Sequence, residues 1–108
     1  MSYLTEMPID AQSLVRAVMR PSDGAYVLFE GVVRNHHEGH DVESIFYDAY
    51  RPMAEKEFDI IVRDVQRQYP DTAVAVLHRL GQLVVGDGSI AIVCASPHRA
   101  EALRRAGS

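Results

Sequence analysis

The chain has 108 residues, of which 47% are hydrophobic and 24% charged, with a formal net charge of -4. This length suits one domain that buries about two-thirds of its unfolded surface, and the composition argues against intrinsic disorder. The negative charge argues against broad electrostatic capture of nucleic acid.

A single cysteine, Cys94, rules out an intrachain disulfide or a multi-cysteine zinc site, and a reducing cytoplasm is the expected compartment. The N-terminus "MSYLTEMPID" has no basic segment followed by an apolar stretch. The longest apolar run, residues 90–95, is far shorter than a membrane span. We therefore expect neither export nor membrane anchoring.

The first predicted elements are a helix and a strand. Asp10 is a candidate N-cap, apolar residues then recur at helical spacing, and the Pro-Ser-Asp-Gly segment 21–24 stops the helix. Residues 25–33, "AYVLFEGVV", are rich in β-formers and too apolar for an exposed edge, which predicts a buried strand. This strand carries Arg34 at its C-terminal end.

A polar loop at 34–41 leads to a second strand within 42–50, where apolar and polar residues alternate. Pro52 fits the first position of a helix that ends near Pro70. The predicted apolar face of this helix consists of Phe58, Ile61, Val62, Val65 and Tyr69.

Three further apolar runs, 73–80, 82–85 and 89–95, predict strands, the last two forming a hairpin. Ser96 and Pro97 fit the N-cap and first position of a short final helix. Helices that interrupt short strands indicate a single α+β domain.

Two places in the chain suit an anion. Arg34 ends a strand and can hold a phosphate or carboxylate with two parallel hydrogen bonds, although a structural salt bridge is an equal alternative. His98 and Arg99 fall in the first turn of the predicted final helix, where free N–H groups favour an anion; ordinary capping beside a surface arginine is the alternative. We favour structural roles for His78 and Arg79.

Three histidines lie in the polar loop at 34–41, and with the neighbouring carboxylates they raise the possibility of a metal site. We favour a solvated loop over a metal site, because adjacent histidines rarely point at one ion. Phe29 and Tyr50 are interpreted as core or pocket-wall residues and not as platforms for stacking bases. The loop residues concerned are His36, His37, Glu38, His40 and Asp41.

Three segments in order, "FEGVVRNHHEG", "YDAYRPMAEKEF" and "VLHRLGQLVVGDGSIAIVCASPHRAEAL", resemble the large, catalytic subunit of molybdopterin synthase across residues 24–103. The resemblance implies an α/β hammerhead domain with a mostly antiparallel sheet flanked by helices, and a homodimer. It implies a small ubiquitin-like sulfur-carrier partner whose C-terminal thiocarboxylate donates sulfur. The implied substrate is cyclic pyranopterin monophosphate, which becomes molybdopterin, and no metal or cofactor is implied.

The resemblance also implies site residues: Arg34, His98 and Arg99 match positions that contact anionic substrate groups, and Phe29 matches a pocket wall. In the family, a segment with catalytic lysines follows the serine-x-histidine-arginine motif, whereas this sequence ends at Ser108.

The only lysine in the sequence is Lys56, in the predicted long helix, and an arginine cannot replace a catalytic amine because it stays protonated. Two expectations follow: a shortened homologue that binds the carrier or an anionic pterin without turnover, or an active enzyme whose lysines come from another chain or from sequence outside these residues.

Overall fold

The computed structural model describes residues 2–37, 39–41 and 43–98. A four-stranded sheet has the order β1-β6-β8-β2, and β3 pairs with β4 and β5 with β7 in two small sheets. Only β1 runs parallel to its neighbour, so the expected α+β class with a mostly antiparallel sheet and flanking helices is confirmed. The elements are β1 Leu4–Thr5, α1 Ala11–Val18, β2 Ala25–Val32, β3 His36–His37, β4 His40–Asp41, β5 Ser44–Tyr47, α2 Arg51–Gln68, β6 Ala73–Arg79, β7 Gly81–Val84 and β8 Gly88–Ser96.

Helix α1 forms as its sequence predicts and covers one face of the large sheet. Asp10 caps it by accepting a hydrogen bond from the Ser13 N–H at 3.2 Å. Its buried Leu14 and Val15 pack with Ala91 and Val93 of β8, which form the centre of the core. The central strand β8 is therefore held from one face by α1 and from both edges by β6 and β2.

Helix α2 covers less than the predicted face. Val62 is buried, but Ile61, which was predicted to be buried with it, is 57% exposed. The helix packs on the outer edge of the sheet beside β6 rather than across its middle, so only a narrow stripe of α2 is covered. Neither helix in the described part of the chain is long and apolar enough to cross a membrane.

The predicted hairpin between the last two strands is wrong. β7 pairs with β5, with Tyr47 opposite Gly81, while β8 pairs with β6 and β2. Gly81 has a φ of 103°, a left-handed conformation that glycine adopts readily, and it turns the chain out of the large sheet directly after β6. Because both edges of β8 are already occupied, β7 takes β5 as its partner.

The prediction that strand β2 is buried is also wrong. It forms an edge of the four-stranded sheet, with Tyr26, Phe29 and Val32 exposed by 43%, 53% and 57%. The apolar residues of β2 are therefore only partly buried by the described part of the chain. Strand β1 was not predicted, because it has only two residues and no recognisable alternation.

Candidate functional site

Arg34 lies two residues beyond the end of β2, and the backbone just before it is firmly held. Val33 is buried; its N–H donates to the Asp87 carbonyl at 2.9 Å, and its carbonyl accepts from the Gly86 N–H at 2.8 Å. The Arg34 side chain is exposed and has no ion pair with any other residue in the described part of the chain. Its guanidinium is available for an external anion.

His98 lies just beyond the opposite end of the same ladder, after β8. Ser96 is fully buried, and its hydroxyl accepts a hydrogen bond from the His98 N–H at 3.1 Å, the bond that a capping serine makes. The His98 side chain is exposed. Arg99 lies outside the described residues, as does all of the predicted final helix beyond Pro97 and His98.

The backbone around His98 packs closely against the start of β2. The Gly24 N–H donates to the Ser96 carbonyl at 3.0 Å, and a Cβ at Gly24 would lie 2.8 Å from the Pro97 carbonyl oxygen. Only glycine fits this approach without moving Pro97.

A brace that the sequence analysis missed fixes the turn before β2. The Asp23 carboxylate has no exposed surface and accepts hydrogen bonds from the Arg20 N–H and from Arg20 Nε and Nη2, at 2.9, 3.0 and 2.7 Å. These bonds, above all those from the guanidinium, lower the pKa of the Asp23 carboxyl. The sequence signal that could have predicted this ion pair is an arginine followed three residues later by an aspartate, with Pro21 between them.

One copy of the chain does not bring Arg34 and His98 together. Ala25 pairs with Ser96 at one end of the β2–β8 ladder, and Val32 pairs with Gly88 at the other. At about 3.3 Å per residue, these ends are about 23 Å apart.

Phe29 lies between these two ends, opposite Ile92. Its ring edge is 4.0 Å from the position a Cβ would take on Gly31, and the same position is only 2.9 Å from Ile90 Cγ2, so Gly31 lets the Ile90 side chain approach the strand beside Phe29. The ring is more than half exposed, and in one copy it is a surface residue rather than the wall of a closed pocket.

Other candidate groups have structural contacts. His78 Nδ1 is 2.7 Å from the Ser89 carbonyl oxygen, and its ring touches Tyr47 and Phe58. Arg79 pairs with Asp87 at 3.4 Å. These contacts agree with the structural roles favoured above.

Neither Cys94 nor the described loop histidines form a second candidate site. Burial raises the pKa of the Cys94 thiol, which keeps it protonated and unreactive. The histidine loop forms the short hairpin of β3 and β4, with His36 opposite Asp41. Across the described ranges, no three histidine, cysteine or carboxylate side chains are placed to hold a metal ion.

Comparison with known proteins identifies the family of this chain. Residues 4–107 match the family model described as MoaE protein. The chain belongs to the MoaE family. Members of this family are catalytic subunits of molybdopterin synthase and act in molybdenum cofactor biosynthesis.

Two relatives illustrate the extent of the MoaE similarity. Molybdopterin synthase catalytic subunit 1 of Mycobacterium tuberculosis is 40% identical over 99 residues, which cover 92% of this chain and 67% of that protein. The human molybdopterin synthase catalytic subunit is also 40% identical over 99 residues, covering 92% of this chain but only 53% of that protein. This MoaE chain thus spans between half and two-thirds of these two relatives.

Solved MoaE structures share the fold. Molybdopterin synthase from Staphylococcus aureus superposes with a TM-score of 0.90 at 33% identity, covering 96% of this chain and 76% of that chain. A complex of subunits 1 and 2 of molybdopterin-converting factor from Helicobacter pylori gives a TM-score of 0.76 at 19% identity, covering 96% and 70%. The second likeness supports the fold alone.

Proposed function

We propose that this chain is the catalytic subunit of a molybdopterin synthase. It would bind a small ubiquitin-like carrier and cyclic pyranopterin monophosphate, and transfer sulfur from the carrier's C-terminal thiocarboxylate to the pterin. The observation that carries the proposal is Arg34 in a chain of the MoaE family: it follows the firmly held backbone of Val33 and has no ion pair with any described residue. The buried lone Cys94 fits the cytoplasmic location expected from the sequence.

The anion site is proposed to form between two copies of the chain. Arg34 and His98 occupy opposite ends of one antiparallel ladder. If two β2 edges meet antiparallel about a two-fold axis, the Arg34 end of one copy lies beside the His98 end of the other. Each dimer then has two identical sites, and Arg99, which follows His98 in the chain, is proposed to join the same site.

The free edge of β2 is suited to such pairing. The His78 N–H points away from β8 and toward Tyr3. Backbone groups alternate in direction along a strand, so through the registers of β6, β8 and β2 the N–H and C=O groups of Tyr26, Leu28 and Glu30 point out of the free edge. A long, largely uncharged edge is a ready template for another strand, which supports the homodimer.

Phe29 gains a role in the same arrangement. It lies near the middle of the β2 edge, so a two-fold axis there would bring a second copy over its exposed ring. The ring would then line the interface beside the proposed sites, which is how the pocket wall expected from the family resemblance could arise.

A second candidate function is binding of the carrier or the pterin without turnover. It is favoured by the position of Lys56, the only lysine in the sequence, which is exposed on α2 rather than at the β2 edge. A single-turnover assay with thiocarboxylated carrier and cyclic pyranopterin monophosphate separates the two. Molybdopterin formation supports the synthase, and binding of both components without product supports the second candidate.

A mixing experiment tests whether the site spans two copies. Arg34→Ala and His98→Ala should each weaken substrate binding about 10- to 100-fold, because each removes a charged or polar contact to the anion. After equal amounts of the two variants exchange subunits, half of the dimers are mixed, and each mixed dimer has one intact site. Titration calorimetry should then show about a quarter of the wild-type number of tight sites.

Two controls sharpen the mixing result. Mixing Arg34→Ala with the Arg34→Ala,His98→Ala double variant should restore no tight sites, because no mixed dimer keeps an intact site. If the first mixture also restores none although subunits exchange, Arg34 and His98 do not share an anion between copies.

A further inference from the structure

A second candidate binding surface lies on the sheet edge opposite β2. Helix α2 stands away from the outer edge of β6 and leaves an open cleft of ≈ 490 Å³ between them. Neither Arg34 nor His98 lines it. The lining residues are Ser2, Tyr3, Asp59, Val62, Arg63, Gln66, Val74, Ala75 and Val76.

The cleft reaches the backbone of β6. Three consecutive residues, Val74, Ala75 and Val76, line it, although successive side chains of a strand point to opposite faces. β1 pairs only with His78 and Arg79, and on the side of β6 away from β8 no described strand lies beside residues 73–77. The His78 N–H points outward to Tyr3, so by alternation the N–H and C=O groups of Val74 and Val76 also face the cleft.

Glu55 explains why β1 stops short of this edge. Its carboxylate accepts hydrogen bonds from the Tyr3 N–H at 3.0 Å, from the Leu4 N–H at 3.1 Å and from the Ser2 hydroxyl. The chain bends at Tyr3 toward α2 and leaves β6. Ser2 and Tyr3 therefore close one end of the cleft.

Helix α2 supplies the other wall. Asp59, Val62, Arg63 and Gln66 recur at the spacing that places side chains on one helical stripe. Arg63 Nε donates to Asp59 at 2.6 Å, and the Tyr3 hydroxyl donates to the same carboxylate at 2.8 Å. The single acid and single base of the cleft are thus paired with each other. The remaining lining is mixed, with apolar Val62, Val74, Ala75 and Val76 beside the polar groups of Ser2, Tyr3 and Gln66.

We propose that this groove binds an extended, uncharged segment of a partner protein, which adds to β6 as a further strand. The outward-facing backbone groups of Val74 and Val76 would pair with the segment, as in strand addition between a sheet edge and a helix. Because the wall formed by Val62, Val74 and Val76 is apolar and the charges are paired, β-branched apolar side chains fit and charged ones do not. The groove is independent of the proposed sulfur-transfer site at the other edge.

The test uses the full chain and the peptide acetyl-Thr-Val-Thr-Val-Thr-amide as a probe. We expect binding with a Kd below about 1 mM, together with slower hydrogen exchange at the Val74 and Val76 amides. A peptide with proline at the centre should bind at least about tenfold more weakly, because it lacks the central N–H and cannot sit in the ladder. A peptide with lysine in place of both valines should also bind more weakly.

Two variants locate the binding. Gln66→Trp fills the cleft from an exposed helical position and should abolish binding, whereas Gln68→Trp on the same helix, outside the cleft, should not change it. Val74→Pro removes an outward N–H without removing a bond to β8, and should also abolish binding.

Several results would overturn the groove proposal. Absence of binding at millimolar peptide would do so, as would equal binding of the proline peptide or unchanged binding to Gln66→Trp. Protection of Val74 and Val76 that rises with protein concentration, without peptide, would assign the groove to a second copy of the chain instead.

Discussion

The two edges of the large sheet are built differently. At one edge, the eight residues of β2 are uncovered, with exposed Tyr26, Phe29 and Val32 and a single charge at Glu30. At the other edge, the two-residue β1, which Glu55 holds through the Tyr3 and Leu4 amides, and helix α2 cover part of β6, and residues 74–76 are reached only through the cleft. Short edge strands and helix cover are devices that prevent uncontrolled strand pairing, and among the described residues neither is found at β2, which supports the proposed pairing of this edge.

The two edges of the sheet also differ in whether their arginines are paired. At the α2 edge Arg63 is paired with Asp59, whereas at the end of β2 Arg34 has no partner among the residues described. A paired arginine offers little attraction to an external anion, and an unpaired one retains its full charge. This contrast supports the proposed anion site at the β2 edge and the proposed binding of an uncharged segment at the β6 edge.

Tyr26→Pro tests most directly whether the β2 edge forms the dimer interface, and we expect it to shift the protein toward the monomer. The Tyr26 N–H points out of the free edge, so its loss spares the bonds to β8 but removes one interface donor from each copy. Two lost hydrogen bonds cost about 2 to 3 kcal/mol, which raises the dimer Kd about 30- to 150-fold. Analytical ultracentrifugation over a micromolar concentration series measures this change.

Val74→Pro is the matched control for the dimer, because it makes the same change at the other edge. It should leave the dimer Kd within about twofold of wild type. If Val74→Pro dissociates the dimer and Tyr26→Pro does not, the two edges have been assigned the wrong way round.

Glu55→Gln removes the carboxylate that holds the start of β1 beside β6, and we expect a smaller, pH-dependent loss of unfolding free energy. Hydrogen bonds from Ser2 and from the amides of Tyr3 and Leu4 lower the pKa of the Glu55 carboxyl. A lowered pKa stabilises the fold above the unfolded value of about 4.3, and this stability is lost as pH falls through the folded pKa. We expect Glu55→Gln to cost about 1 to 2 kcal/mol at pH 7, with a gap that narrows below about pH 4.

Urea unfolding from pH 7 to pH 3 measures this gap, with Glu57→Gln as the control. Glu57 is exposed on the same helix and has no hydrogen bond or ion pair among the described residues, so its change should stay within about 0.5 kcal/mol at every pH. A gap for Glu55→Gln that is constant with pH would mean that the charge of the carboxylate does not hold β1.

Much of the fold could be predicted from local chemistry. The Asp10 cap, Pro52 in the first turn of α2 and the β-rich segments of β2, β6 and β8 all lie where the sequence indicates. The edge position of β2 and the pairing of β7 with β5 could not be predicted, because the apolar content of a segment carries no information on which strand is its neighbour.

The candidate site divides in the same way. Arg34 and His98 could be recognised singly, as a cation after a strand and a residue beside a helix-capping serine. The distance between Arg34 and His98 could not be predicted, because it follows from the antiparallel register of β2 and β8, and register is set by contacts between residues far apart in the sequence. The Asp23 brace was missed because its strength depends on complete burial of the carboxylate, which a three-residue spacing does not reveal.

Gly24→Ala gives the smallest expected effect and tests whether the His98 end of β2 belongs to the anion site. The added methyl would meet the Pro97 carbonyl oxygen at 2.8 Å, so Pro97 and the adjoining His98 must shift by a few tenths of an ångström. We expect substrate affinity to fall about three- to tenfold with unfolding stability lowered by less than about 1.5 kcal/mol. Ser22→Ala, in the same turn but without this contact, is the control. Unchanged affinity for Gly24→Ala, alongside a measured shift of the His98 resonances, would remove His98 from the site and leave Arg34 to bind the anion without it.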